Sequence, residues 1–156
     1  MLWRAAVAGG AAFFLSLVVE LVALGLIGGE ASLPLMAVSV APVAEELAKR
    51  LGMLVLSAGW GATGLAFGLI EGAFKLSEWR GIGVAGAIAS VLQHWAYGRW
   101  AARRGLLLAL GLHVGFNALV LIVDFGTEAR AGWFAPILAA LLLATTFWRP
   151  SDRKPV

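Results

Sequence analysis

Six polar side chains, Glu45, Glu46, Glu71, His94, His113 and Asn117, stand in apolar surroundings at spacings that could do chemistry. Glu45 and Glu46 are adjacent, and together with Lys49 and Arg50 they interrupt an otherwise almost wholly apolar run from Leu33 to Leu56. An ionisable group near the centre of a bilayer costs about 2.5 to 3.5 kcal/mol on insertion scales, so a cluster of them demands partners, water or a function. Self-pairing is one answer: Glu45 with Lys49 and Glu46 with Arg50 have the favourable i,i+4 order on a helix. His113 and Asn117 share that spacing, which places imidazole and amide on one helical face. Glu71 follows Phe67 by one turn and lies close to the face of Gly64, Gly68 and Gly72. That face permits close helix contact, so Glu71 looks into a bundle, either as packing glue or as part of a site. Such a set supplies a carboxylate to activate water, with imidazoles and an amide to orient the water or hold an oxyanion. Hydrolysis of a peptide bond fits it. Carboxylate and imidazole are also common zinc ligands. No HExxH helix occurs, and metal-bound and metal-free hydrolysis both stay open.

The elements that must position these groups are membrane helices. The chain has 156 residues, 61% of them hydrophobic and 13% charged, with a mean hydropathy of +0.89. This predicts an all-α polytopic membrane protein, residues 1–156 forming one bundle of about six spans of about 20 residues, with no room for a separate soluble domain. The expected spans are Ala5 to Ile27, Leu33 to Ser57, Trp60 to Lys75, Gly81 to Trp100, Gly105 to Val123 and Trp133 to Trp148, followed by a polar tail over 149–156. The first apolar run is longer than the 7 to 15 residues of a signal-peptide core, so it reads as a retained span. Glu20 lies near its far end and is expected at the outer interface rather than in an interior cluster. Pro42 frees a backbone carbonyl one turn earlier, which points to a cavity beside the double glutamate.

With the N-terminus inside, the inner ends hold Arg4, Arg99, Arg103, Arg104, Arg149, Arg153 and Lys154, against Lys75, Arg80 and Arg130 outside, as the positive-inside rule requires. Trp3, Trp60, Trp100 and Trp148 fall at the inner interface and Trp79 and Trp133 at the outer, while Trp95 fits neither belt. Both termini are therefore expected on the cytoplasmic side of the cell membrane. The lipid bilayer is the expected surrounding, and nucleic acid is excluded as a partner because the basic residues flank apolar spans. The absence of cysteine removes disulfides, thiolate metal sites and a cysteine nucleophile.

At about 1.5 Å per residue, Glu45, Glu46, His94, His113 and Asn117 come out near mid-bilayer, with Glu71 about a turn nearer the outer face. The ordered pattern Glu45-Glu46-x-x-Lys49-Arg50, Phe67-x-x-x-Glu71, His94 and His113-x-x-x-Asn117 resembles the glutamic intramembrane proteases that include the CAAX-processing and bacteriocin-processing enzymes and PrsW. The first motif satisfies both the EExxxR form of the CAAX group and the EExxK form associated with PrsW. The second has Glu71 where the CAAX group has histidine, and is similar to PrsW. The likeness covers about residues 41–119. It implies a catalytic glutamate at Glu45 or Glu46 that activates water, with Glu71, His94, His113 and Asn117 lining the site and Lys49, Arg50 and Phe67 supporting it. It also implies a membrane-anchored protein or peptide as substrate, and chemistry without a cofactor or metal. Two other classes fit the same residues. A proton- or cation-coupled carrier or channel would string ionisable groups from face to face. A catalytically silent scaffold would need only the fold.

Overall fold

The computed structural model describes residues 2–28, 32–77, 83–126 and 131–148. The links with Glu30, Glu78, Trp79, Arg80, Glu128 and Arg130, and the tail from Arg149, lie outside the described residues. The described chain is all-α. Its helices are α1 (Leu2–Ile27), α2 (Ser32–Leu35), a π-helical segment (Met36–Val40), α3 (Ala41–Leu56), α4 (Trp60–Ser77), α5 (Gly83–Arg104), α6 (Leu106–Gly126) and α7 (Ala131–Thr145). The α2, π and α3 segments join with right-handed helical dihedrals at Leu35, Val40 and Ala41, so they form one rod and the bundle has six. Gly105, at a φ of 94° that a side chain would resist, makes the reversal between α5 and α6.

The rods pack α4 on α5, α1 on both α3 and α4, and α6 and α7 on α5. What they bury is small. α1 turns Ala5, Ala8, Gly9, Ala12 and Ser16 inward with Phe13 as its one large buried side chain, and it exposes Val7, Phe14, Leu15, Val18, Leu21 and Val22. A helix of a water-soluble bundle buries its large apolar residues and exposes polar ones. The reverse arrangement, small inside and large apolar outside, is the one that suits packing in lipid. Among the described residues two helices are long and apolar enough to cross a membrane, Leu2–Ile27 and Leu106–Val123.

Close backbone approach between α4 and α5 follows from the predicted glycine stripe. A Cβ on Gly68 would lie 2.7 Å from the Ser90 carbonyl oxygen and 3.1 Å from the His94 Cβ, and one on Gly72 would lie 3.0 Å from the Ala87 carbonyl oxygen. Gly64 is tighter still against the His94 carbonyl. At the far end of α5, Arg99 Nε donates to Thr146 Oγ1 at 2.8 Å and Trp100 Nε1 to Thr145 Oγ1 at 3.3 Å, which ties α5 to the end of α7. Trp95, outside both expected belts, meets Phe147 edge-on at 6.2 Å.

Pro42 acts differently from the expectation. In the π register the Ala41 N–H bonds the Met36 carbonyl, five residues back, so the carbonyl that Pro42 cannot bond is that of Ala37. Asn117 of α6 supplies the missing donor, its Nδ2 lying 2.7 Å from Ala37 O. A protein amide, rather than a cavity, satisfies the proline's orphan carbonyl.

The seam between α4 and α5 yields a graded prediction. Gly68→Ala should destabilise the protein by about 1–3 kcal/mol, the usual cost of forcing atoms into a packed interior. Gly72→Ala should cost less, and Gly111→Ala, where no atom lies within 4 Å of the added Cβ, should be neutral or stabilising. Unfolding midpoints in detergent that fail to follow this order would contradict the close seam.

Candidate active site

Charge burial in α3 is resolved by Lys49. Its ammonium, buried to 2% exposure, donates to Glu46 Oε1 and to His94 Nδ1, the latter at 3.0 Å, and sits 4.6 Å from the centre of the Phe67 ring. The expected pairings are both replaced. Lys49 takes Glu46, one turn back by three residues rather than Glu45 by four, and Arg50 lies on the exposed side of the helix, outside the cluster. Residues at i+3 and i+4 are both neighbours on a helix, and the third direction, towards α5, decides which pair forms.

The ammonium also determines which histidine nitrogens carry hydrogen. Because His94 Nδ1 accepts from Lys49, its Nε2 is the protonated one, and it donates to Glu71 Oε2 at 2.5 Å. Glu71 in turn receives Lys75 at 2.6 Å, and Lys75 donates to Ser90 at 2.9 Å. On the other side, His113 Nδ1 donates to Glu46 Oε1 at 3.0 Å, which leaves its Nε2 as a bare acceptor. Tyr97 stacks on the His113 ring at 4.5 Å and 24°, and meets His94 edge-on at 5.6 Å.

Glu45 has no such saturation. It is 8% exposed, and its buried Oε2 accepts no hydrogen bond. Two ring nitrogens face it, His94 Nε2 at 3.5 Å and His113 Nε2 at 3.9 Å. Two adjacent carboxylates thus have opposite environments. Glu46 is held by Lys49 and His113, while Glu45 faces two imidazoles with a free oxygen.

Four elements therefore bring Glu45, Glu46, Lys49, Phe67, Glu71, His94 and His113 together. Asn117 is bonded to the Ala37 carbonyl, which makes it a support of the π segment rather than a group turned on Glu45. Glu20 corrects its expected place at the interface. With Phe13, Ser16, Glu45, Phe67, Glu71, Phe74 and Lys75 it lines a cavity of about 150 Å³ between α1, α3 and α4. Sequence reasoning also passed over Tyr97, the single tyrosine of the chain. Its place three residues after His94, on the same face of α5, was the available signal.

Glu45, His94 and His113 each offer one ligand atom, all within 4.8 Å of one another, so they are the set that a metal ion would take. The donor chemistry opposes it. His94 Nε2 carries the hydrogen that it gives to Glu71, and the ammonium of Lys49 bonds the other nitrogen of the same ring, so only Glu45 and His113 present free lone pairs. Comparison with protein-family models, with curated proteins and with solved structures gives no match.

Two outcomes follow from this wiring. Glu46→Gln leaves the Lys49 ammonium buried without its anion and should destabilise the fold by about 3–5 kcal/mol. Asn117→Ala, which orphans the Ala37 carbonyl, should cost about 1–3 kcal/mol. Thermal unfolding of the purified variants measures both, and a Glu46→Gln protein as stable as wild type would refute the role given to Lys49. Dialysis against a chelator, followed by the same unfolding measurement, should leave the midpoint unchanged, whereas a drop that zinc restores would assign the three-residue set to a metal.

Proposed function

We propose that the protein is a multi-pass membrane peptidase that hydrolyses a peptide bond of a membrane-anchored protein or peptide with water activated at Glu45. The observation that carries this reading is the free, buried Oε2 of Glu45, 3.9 Å from the unprotonated Nε2 of His113. A water admitted with the substrate to about 2.8 Å from both acceptors would have each of its hydrogens in a bond and a lone pair free for a carbonyl carbon. Its oxygen then bonds to that carbon while the proton passes to Glu45, and the same proton leaves with the amine when the C–N bond breaks. Glu46 has the part of orienter, as the group that holds the His113 tautomer. The ordered motifs that resemble PrsW-like glutamic intramembrane proteases support the same assignment from a separate direction.

Membrane embedding is supported by the apolar exterior. Exposed side chains over α1, α3, α6 and α7 are dominated by Leu, Val, Ile, Phe and Trp, in a soluble protein an area far beyond the few hundred Å² of an ordinary apolar patch. We read all six rods as spans, with both termini at the cytoplasmic face of the cell membrane, from the count of basic residues and the tryptophan belts. α7 is short for a span and α3 carries buried charge, but both pack against longer neighbours that shield their polar groups.

A carrier is the second reading, and one observation favours it. Glu20 and Lys75 extend the ionisable groups from Glu45 towards one end of the bundle. The inner half weighs against a relay, because there the buried polar groups next to the cluster are Tyr97 and Thr63, neither of which titrates near neutral pH.

The deciding experiment uses Glu45→Gln, which keeps volume and removes the base. It should remain folded and lose about 10²–10⁴ of the wild-type turnover on a membrane-anchored substrate. Full proteolysis by Glu45→Gln would end the reading, and proton flux by wild-type protein in liposomes without cleavage of any substrate would favour the carrier.

A further inference from the structure

The cavity beside Glu45 has a composition that the proposed hydrolysis does not use. Three carboxylates line it, those of Glu20, Glu45 and Glu71, against one cation, Lys75. That cation is already spent on Glu71 at 2.6 Å and Ser90 at 2.9 Å. Among the described residues Glu20 has neither a hydrogen bond nor an ion pair, and Glu45 Oε2 is buried without a hydrogen-bond partner. Glu20 and Glu45 thus form no ion pair with that cation, in a cavity whose remaining lining includes the rings of Phe13, Phe67 and Phe74. Groups that bury negative charge in apolar surroundings are costly unless a cation joins them. Aromatic walls add a favourable surface for the same ligand, since they pack an alkyl stem and attract a cation to their faces.

Access and size narrow the choice. Glu20 and Lys75 are only partly buried, whereas Glu45 and Phe67 are buried, so the mouth lies at the first pair and the floor at the second. A volume of about 150 Å³ takes one group of the size of a benzene ring. It admits a four-carbon ammonium or a guanidinium on a short stem, and no long acyl chain. Because Glu45 is the floor, whatever fills the cavity lies next to the bond that Glu45 would attack.

Resting on the peptidase reading, we propose that this cavity is a specificity pocket for the cationic side chain of a lysine or arginine beside the scissile bond, with Glu20 as the residue that reads its charge. Glu20 lies on α1, away from the histidines, and acts on recognition rather than on the bond itself.

Two measurements test it. In the first, n-butylammonium is titrated into purified protein in nanodiscs, with 1-butanol as the neutral isostere. Saturable binding at least tenfold tighter than that of the alcohol is expected, and Glu20→Gln should weaken it by about tenfold. Glu20→Asp, which keeps the charge, should retain most of it and covers the case in which the glutamine variant does not fold. Displacement of n-butylammonium by sodium at equal concentration would assign the cavity to an inorganic cation and overturn the proposal, as would no binding to the wild type. In the second, membrane-anchored substrates carry lysine or norleucine at each position flanking the cleaved bond. The lysine form should show a KM about tenfold lower at one position, and Glu20→Gln should reduce that ratio. Cleavage with no preference for lysine at any position would refute the pocket and leave the peptidase reading standing. Glu20-dependent binding of n-butylammonium without cleavage of any substrate would support the cation site and overturn the peptidase.

Discussion

The arrangement depends on one buried ammonium. Lys49 is enclosed to 2% exposure in a region where an unpaired charge would cost several kcal/mol, and everything near it is placed to meet that demand. Glu46 supplies the countercharge and His94 a second acceptor, from α3 and α5 respectively. Each of these commitments propagates. Glu46, once turned towards Lys49, is also where His113 of α6 donates, and His94, with one nitrogen occupied, must present its hydrogen to Glu71 of α4. One positive charge therefore determines the hydrogen positions on two imidazoles and joins four helices.

Such a network requires backbones close enough for short side chains to reach. Gly64 and Gly68 let α4 lie against the turn of α5 that holds His94, and a glutamate on the same helix then reaches the imidazole at 2.5 Å. Gly9 brings α1 onto the backbone at Ala66 and Phe67 in the same manner, and Gly52 brings α3 onto Ala8. In lipid, where apolar side chains gain little by leaving their surroundings, this close approach and the hydrogen bonds it permits are what hold helices together. The π segment serves the same end. It absorbs Pro42 without breaking the rod, and the carbonyl left over becomes the anchor by which Asn117 fixes α6 to the turn before Glu45.

Much of this was legible in the residues. Apolar runs marked the helices because a twenty-residue apolar stretch has few other stable forms, and the glycine spacing on α4 marked a seam because four-residue periodicity is geometric. The gathering of Glu45, Glu46, Glu71, His94 and His113 was anticipated from their expected level along the spans, a level that Asn117 shares without joining them. Partner choice was not. Whether Lys49 bonds Glu45 or Glu46 depends on where α5 and α6 stand around α3, and no spacing within α3 contains that information. The same holds for Asn117, whose i,i+4 relation to His113 suggested a common face, while the orphan carbonyl of Ala37 drew its amide to another helix. Glu20 was misplaced for the opposite reason. Its nearness to the end of α1 allowed an interfacial position, but the packing of α1 on α3 and α4 turns it to the cavity that Glu45 and Glu71 share.

Glu45 and Glu46 show how one turn of helix gives two carboxylates opposite surroundings. Adjacent residues on a helix point about 100° apart, so one of a pair can meet the cation while its neighbour cannot. Glu46 has its charge offset by Lys49, and its Oε1 accepts from both Lys49 and His113. Glu45 keeps a free oxygen at 3.5 Å and 3.9 Å from two ring nitrogens. For stability alone the chain would do better with an apolar residue at position 45, since among the described residues no cation bonds that carboxylate as Lys49 bonds Glu46. A buried oxygen without a hydrogen bond, beside a carboxylate that two donors hold, is the asymmetry on which the role proposed for Glu45 rests.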